Sequence, residues 1–375
     1  MHIVHYNLTT TTKEGGVETF VWDLAREQAR AGHRVTIVSG CGSVLRDVPG
    51  VEVRMAGFVD RDRFAIGPFR RAWALRKLAE RLTMLPRGLL LVGRPDLVHI
   101  HKPYDLPLAP LLKIRGVPVF YHGHGEGFFP GDRMLARQAA ALLSCSTFNA
   151  DTLRRHYGLE ATIVFNGVDT DHFRPHSAEP QLRRALAGEA RHVVLMPGRF
   201  MPWKGHAYVI DAFAALRDLS ARLVLVGDGE TREHLEDQAT ALGLGDVVLF
   251  TGTVPHRDMP RYFAAADMVI GASLASETFG MVLAEAMACQ RPVVASSWRG
   301  YDDVVIHGKT GERFKAGNPE DLAAVLRRLL VDDEARAAFG VAGRQHVSDL
   351  FRWDKVAARV QGVYDATLFP GGKPR

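Results

Sequence analysis

The chain has 375 residues, 47% of them hydrophobic and 24% charged, enough for two domains that each bury a core. Its net charge of +5 is uneven: residues 61–94 hold nine basic and two acidic side chains, and the rest is slightly acidic. That pattern excludes a uniformly nucleic-acid-binding surface, and no apolar run reaches the length of a membrane span. The N-terminus lacks the basic-then-apolar pattern of a secretory signal. Cys41, Cys145 and Cys289 follow no metal-ligand spacing and sit among small or apolar residues, so they read as buried thiols in a cytosolic protein.

In chain order, an apolar strand over His2–Leu8 leads through Gly15-Gly16 into a helix with Phe20, Val21, Leu24 and Ala25 on one face. Strand, glycine turn and helix make the shape of a phosphate-binding corner, although a plain tight turn fits as well. Strands follow at Val35–Ser39 and Val51–Met55. In residues 61–94, Leu75, Leu78, Leu82 and Leu85 recur at helical spacing, with Lys77 and Arg81 on another face and Phe64, Phe69 and Trp73 upstream. Two readings stand: a surface helix with its leucines in the core and its arginines solvated, or a helix lying on an anionic membrane or acceptor. Strands at Asp96–His101 and Pro118–Gly125 place His99, His101 and His122 at strand ends, where parallel sheets face their ligands. His124 is the rival of His122. Ser144–Ser146 reads as a strand before the helix Phe148–Tyr157, and residues 176–190 read as a polar linker.

The strand His192–Pro197 opens a second run of alternating strands and helices. Arg199 and Lys204 flank the turn after it, and two cations there suit a diphosphate. Further strands are expected at Leu223–Val226, Val247–Gly252, Val269–Gly271, Pro292–Ala295 and Gly311–Phe314. Helices are expected at His206–Arg217, at Met259–Ala265, from Pro319 and over Trp353–Leu368. Within Ser276–Met287, a loop carrying Glu277 meets Gly280, and a helix begins with Glu285 inside it. The amides of that first turn, from Thr278 and Phe279 through Gly280 to Met281 and Val282, attract phosphate. Carboxylates on either side suit sugar hydroxyls, because hydrogen bonds to an ionised acceptor are the stronger kind. An ordinary capped helix with a surface glutamate is the alternative.

Glu277, seven residues, Glu285 resembles the donor-site signature of the retaining glycosyltransferases of family 4. The Gly15-Gly16 loop, the His122-Gly123 strand end, Asn166-Gly167-Val168-Asp169 and the Gly198-Arg199 and Lys204-Gly205 pairs stand in that family's order. The resemblance implies an α/β fold of two Rossmann-like domains facing a central cleft (GT-B). The N-terminal domain, residues 1–170 joined by a C-terminal helix 353–375, would bind the acceptor, and residues 171–352 the donor. It further implies retaining transfer from a nucleotide-diphosphate sugar, UDP ahead of GDP, to a hydroxyl acceptor in glycan, glycolipid or secondary-metabolite biosynthesis. His122 and Glu277 would contact the transferred sugar, and Arg199, Lys204 and the amides after Thr278 the leaving diphosphate. Glu285 would hold the ribose, the loop at Val254 the base, and Gly15 and Gly16 the phosphates. No cofactor or metal is expected, and no nucleic acid. Location would be cytoplasmic, with residues 61–94 touching the inner face of an anionic membrane. Two rivals share the architecture: a nucleotide-sugar 2-epimerase, which consumes donor without transfer, and a non-catalytic nucleotide-sugar binding protein, which shows no turnover.

Overall fold

A computed structural model describes residues 1–371, without the side chains of Pro68 and Phe69. The Phe69 side chain and residues 372–375, which end the joining segment and the Pro370–Arg375 tail, lie outside the described residues. The chain divides into two units, Met1–Gly167 with Trp353–Arg375, and Val168–Arg352.

The first unit holds a parallel sheet of β1 (His2–Tyr6), β2 (Arg34–Gly40), β3 (Val51–Ala56), β4 (Leu97–Ile100), β5 (Val119–Gly123), β6 (Ala141–Ser144) and β7 (Thr162–Ile163). Its order is β3-β2-β1-β4-β5-β6-β7. Neighbouring residues of one strand feed different cores. Val4, Val98 and Tyr121 pack with Leu108, Leu112 and Tyr157, whereas Ile3, Leu97 and Phe120 pack with Phe20, Val356 and Tyr364. Both faces are therefore covered, which is why these strands read as almost unbroken apolar runs.

The second unit repeats the plan with β8 (His192–Pro197), β9 (Ala221–Val226), β10 (Val248–Gly252), β11 (Met268–Gly271), β12 (Val293–Ser296) and β13 (Glu312–Phe314). The order is β10-β9-β8-β11-β12-β13, again parallel throughout. Each sheet reverses its strand order once, between β1 and β4 in the first unit and between β8 and β11 in the second. Ligands of such sheets bind outside the carboxyl ends of the strands at that reversal.

Several expectations need correction. Cys145 and Cys289 are buried, but Cys41 is exposed, because its strand ends at Gly40 before the chain turns outward. Residues 176–190 contain the helix Pro180–Ala187, started by a proline whose fixed φ suits the first helical turn. The strand placed at Ser144–Ser146 is Ala141–Ser144, since Ser146 instead caps the next helix by accepting the Asn149 amide. An unanticipated helix spans Asp333–Leu350. In the helix Trp73–Val92 the core face is Arg76, Glu80, Arg81, Met84, Gly88 and Val92, while Leu75 and Leu82 are 41% and 44% exposed. The leucine stripe is therefore divided: Leu85 packs against the core while Leu75 and Leu82 face outward, and Arg81 turns in to the buried Asp105 carboxylate (3.5 Å) just beyond β4.

Candidate active site

In the second unit, the segments after β8 and β11 carry the residues singled out in the sequence. Beyond β8, the turn Pro202–Lys204 ends at Gly205 (φ +80°), which starts the helix His206–Ala214. Beyond β11, a loop brings Glu277 to Gly280, and the helix Met281–Ala288 follows. Gly280 takes φ +91°, and a Cβ there would stand 2.6 Å from the Tyr301 ring, so both backbone and space demand glycine.

Glu277 ties the two segments together. Its Oε2 accepts from Lys204 Nζ (2.6 Å) and its Oε1 from the Gly280 amide (3.1 Å). The Lys204 ammonium also lies 4.8 Å from the Trp203 ring. The Glu277 carbonyl accepts from Trp298 Nε1 (2.8 Å), and the Tyr301 hydroxyl donates to Ser273 Oγ (2.8 Å). Trp298 and Tyr301 thus brace the loop, although the sequence reading passed over both. Met281 and Val282, partly exposed, supply the open first-turn amides, whereas the Gly280 amide is taken by Glu277 and Phe279 is buried edge-on to Phe351. Thr278 is partly exposed in the same loop.

Glu285 is buried one turn into the helix, and its Oε1 lies 2.8 Å from His256 Nε2. His256 was also missed. It stands two residues past Val254, itself partly exposed in the turn after β10. Arg199 is exposed beside β8. The second unit therefore gathers Lys204, Glu277 and Gly280 by direct contact, and joins Glu285 to the turn after β10 through His256.

In the first unit, Gly15 and Gly16 open the helix Gly16–Arg30, but the turn is tied up by its own side chains. Glu18 accepts from Lys102 Nζ (2.6 Å) and from the Thr9 hydroxyl. Burial pushes the Lys102 ammonium down to about 8 despite Glu18. Burial, with Arg61, Lys13 and Arg81 nearby, likewise lowers Lys77. His122 ends β5 fully buried, and neither ring nitrogen hydrogen-bonds to the described residues. His124 is partly exposed.

No metal was expected, yet the Asp-x-Asp spacing, which could offer two carboxylates to a divalent ion, occurs twice. Asp60 accepts from the Asp62 amide, and Asp62 pairs with Arg76. Asp169 accepts from the amides of Asp171 and His172. Both pairs close turns, and neither belongs to the loops around Lys204 and Gly280.

The profile of the group 1 glycosyl transferases matches residues 179–346, and that of glycosyltransferase family 4 matches residues 14–172. A D-inositol 3-phosphate glycosyltransferase of Nocardiopsis dassonvillei is 30% identical over 402 residues, covering 97% of this chain and 92% of the relative. A GDP-mannose-dependent alpha-(1-6)-phosphatidylinositol monomannoside mannosyltransferase of Mycobacterium tuberculosis is 32% identical over 273 residues, covering 68% and 71%. Among solved structures, HepE of Anabaena in complex with UDP and glucose superposes with a TM-score of 0.80 at 23% identity, over 98% of this chain and 100% of that one. The two parallel α/β units are those of the GT-B fold. With both profiles matched in order and a relative aligned along nearly its whole length, the chain belongs to the group 1 glycosyltransferases of family 4.

Proposed function

We propose that the protein transfers a sugar, with retention of configuration, from a nucleotide-diphosphate sugar to a hydroxyl acceptor, with UDP as the favoured nucleotide. The observation that carries this reading is the convergence of Lys204 and Glu277 on the start of the helix Met281–Ala288 at the strand-order reversal. Lys204 has three donors and spends one on Glu277, so two remain for phosphate oxygens. Each Glu277 oxygen keeps acceptor capacity for a sugar hydroxyl. The amides of Met281 and Val282, with Arg199, complete the cradle for the leaving diphosphate. Glu285 takes the ribose hydroxyls, and the turn at Val254 lies against the base.

As the acceptor oxygen bonds to the sugar's anomeric carbon, the bond to the phosphate oxygen breaks, and that oxygen takes the acceptor's proton on the same face. The protein then contributes position and charge rather than a nucleophile. His122, with two unpartnered nitrogens at the end of β5, is the candidate contact to the transferred sugar. The first unit receives the acceptor. Lys102 and Lys77 near the ends of β1 and β4 favour one bearing phosphate, in keeping with the inositol 3-phosphate and phosphatidylinositol in the names of the relatives. Turnover with released UDP, assayed in Lys204→Ala, tests the reading. Loss of one stabilising donor predicts a rate about 100- to 1,000-fold lower, and near-full turnover would overturn the assignment. NMR of the product's anomeric configuration tests retention. Persistence of turnover in EDTA tests metal independence of the donor site.

A second reading, of membrane contact, is favoured by one observation. The helix Trp73–Val92 and the turns before it turn outward Ile66, Trp73, Leu75, Leu82 and Leu90 among Arg63, Arg70, Arg71 and Arg87. Apolar side chains interleaved with cations suit an anionic bilayer. Among the described residues no helix is long and apolar enough to cross a membrane.

A further inference from the structure

At the carboxyl ends of β1, β4 and β5, strand alternation gathers five histidines on one face of the first sheet. His5 pairs in register with His99, and two-residue steps carry the same face on to His101 and from His122 to His124. His5, His99, His101 and His122 are buried, and His124 is partly exposed.

Their hydrogen bonds fix where the lone pairs lie. The Gln28 amide nitrogen reaches the Tyr364 hydroxyl (3.4 Å), and its Oε1 faces His5 Nε2 at 2.6 Å. An amide oxygen only accepts, so His5 Nε2 carries the proton and His5 Nδ1 is bare. His101 Nε2, 3.0 Å from that bare nitrogen, is therefore the donor. His101 Nδ1 is left bare, and it faces His124 Nε2 at 3.4 Å. His122 adds a third imidazole whose nitrogens are buried and make no hydrogen bond to the described residues. One nitrogen from each of these three rings lies within 4.8 Å of the others.

We propose that His101, His122 and His124 bind a transition-metal cation of the zinc class, through His101 Nδ1, His124 Nε2 and one nitrogen of His122. Zinc–nitrogen bonds of about 2.0–2.1 Å in a tetrahedron put neighbouring ligand nitrogens about 3.4 Å apart. The His101–His124 pair already stands at that separation. A metal-bound imidazole usually donates from its far nitrogen to an acceptor that fixes its tautomer, and the line His101–His5–Gln28 does this. Imidazoles alone, with neither carboxylate nor thiolate in the set, select zinc, copper or nickel over magnesium and calcium. A water molecule would complete the tetrahedron as the fourth ligand. The site lies in the first unit and uses none of the groups assigned to the diphosphate, but it shares His122 with the proposed contact to the transferred sugar, so metal retention is measured on the chain without donor, apart from turnover.

The test uses the metal-stripped full chain. Equilibrium dialysis against zinc followed by elemental analysis should find one equivalent retained, and cobalt substitution should give the intense visible bands of a tetrahedral site. His124→Gln should lose the equivalent, and Gln28→Leu, which removes only the far acceptor, should weaken zinc affinity about 10- to 100-fold. Circular dichroism and melting without metal check that the variants fold. Failure of the unmodified chain to retain zinc or to give tetrahedral cobalt bands overturns the proposal without recourse to any variant. Retention at undiminished affinity in His124→Gln overturns it too, by placing the metal on other histidines.

Discussion

Glu285 is 5% exposed and faces His256 across 2.8 Å, an arrangement that holds an ionised acceptor ready one turn into its helix. If it receives the ribose hydroxyls, Glu285→Gln removes charge-assisted bonds worth about 1.5–3 kcal/mol, or roughly 10- to 100-fold in affinity. Calorimetry with UDP and GDP checks this, and unchanged affinity for both would remove Glu285 from the nucleotide site. His206, directly after Gly205, carries a prediction of another kind. Burial, with Lys204 beside it, lowers its imidazole to about 3 from an ordinary 6.5. Between those values the unfolded chain binds the proton and the folded one does not, so stability is lost as pH falls below 6.5. The slope is about 1.4 kcal/mol per pH unit. In His206→Leu, urea midpoints of the second unit should fall less steeply between pH 6.5 and 4.5, and an unaltered slope would contradict the account. The sequence made Glu277, Gly280 and Glu285 legible because one short segment holds them all. His256, Trp298 and Tyr301 were not legible, since their partners lie 29, 21 and 28 residues away.

At the scale of elements, the two parallel sheets were readable from runs of buried apolar residues, and the helix Met259–Ala265 was placed to the residue. Of the leucines expected inward on the helix Trp73–Val92, Leu85 packs on the core but Leu75 and Leu82 face outward, for a reason the local pattern cannot carry. Leucines at helical spacing normally mark the core, but here the buried polar residues find partners on other segments: Arg81 pairs with Asp105, Arg76 with Asp62, and Glu80 accepts the Arg61 amide. Arg81→Ala would leave the buried Asp105 carboxylate without its cation, at a cost of about 3–5 kcal/mol. Leu82→Gln, on the outer face, should shift stability by no more than about 0.5 kcal/mol. Urea denaturation of the two variants decides between the faces, and equal losses would contradict the burial described. The same outer face yields a binding prediction. Each basic residue near an anionic surface contributes about 1 kcal/mol, so Arg70→Glu with Arg71→Glu should reduce co-sedimentation with anionic vesicles at low salt by more than tenfold. If the unmodified chain ignores those vesicles, a soluble acceptor replaces the membrane in this reading.

The whole chain builds its first unit from two separated stretches, Met1–Gly167 and Trp353–Arg375, and its second from the residues between them. The helix Trp353–Leu368 is therefore a structural part of a sheet whose strands end almost two hundred residues earlier in sequence, at Ile163. It delivers Trp353, Val356, Val360 and Tyr364 into the core with Ile3, Phe20, Leu97 and Phe120. The Tyr364 hydroxyl also meets His99 Nδ1 at 2.5 Å. Removing four buried side chains forfeits about 1.5–3 kcal/mol apiece, roughly 6–12 kcal/mol in all. That rivals the whole stability of an ordinary domain, about 5–15 kcal/mol. The second unit loses none of its own residues by the same cut. A chain ending at Arg352 should therefore unfold in its first unit while Val168–Arg352 persists. Limited proteolysis should digest residues 1–167 and spare that second stretch, and calorimetry should still register UDP with near-normal affinity. Protection of the first unit in the shortened chain would mean that its sheet stands without the returning helix.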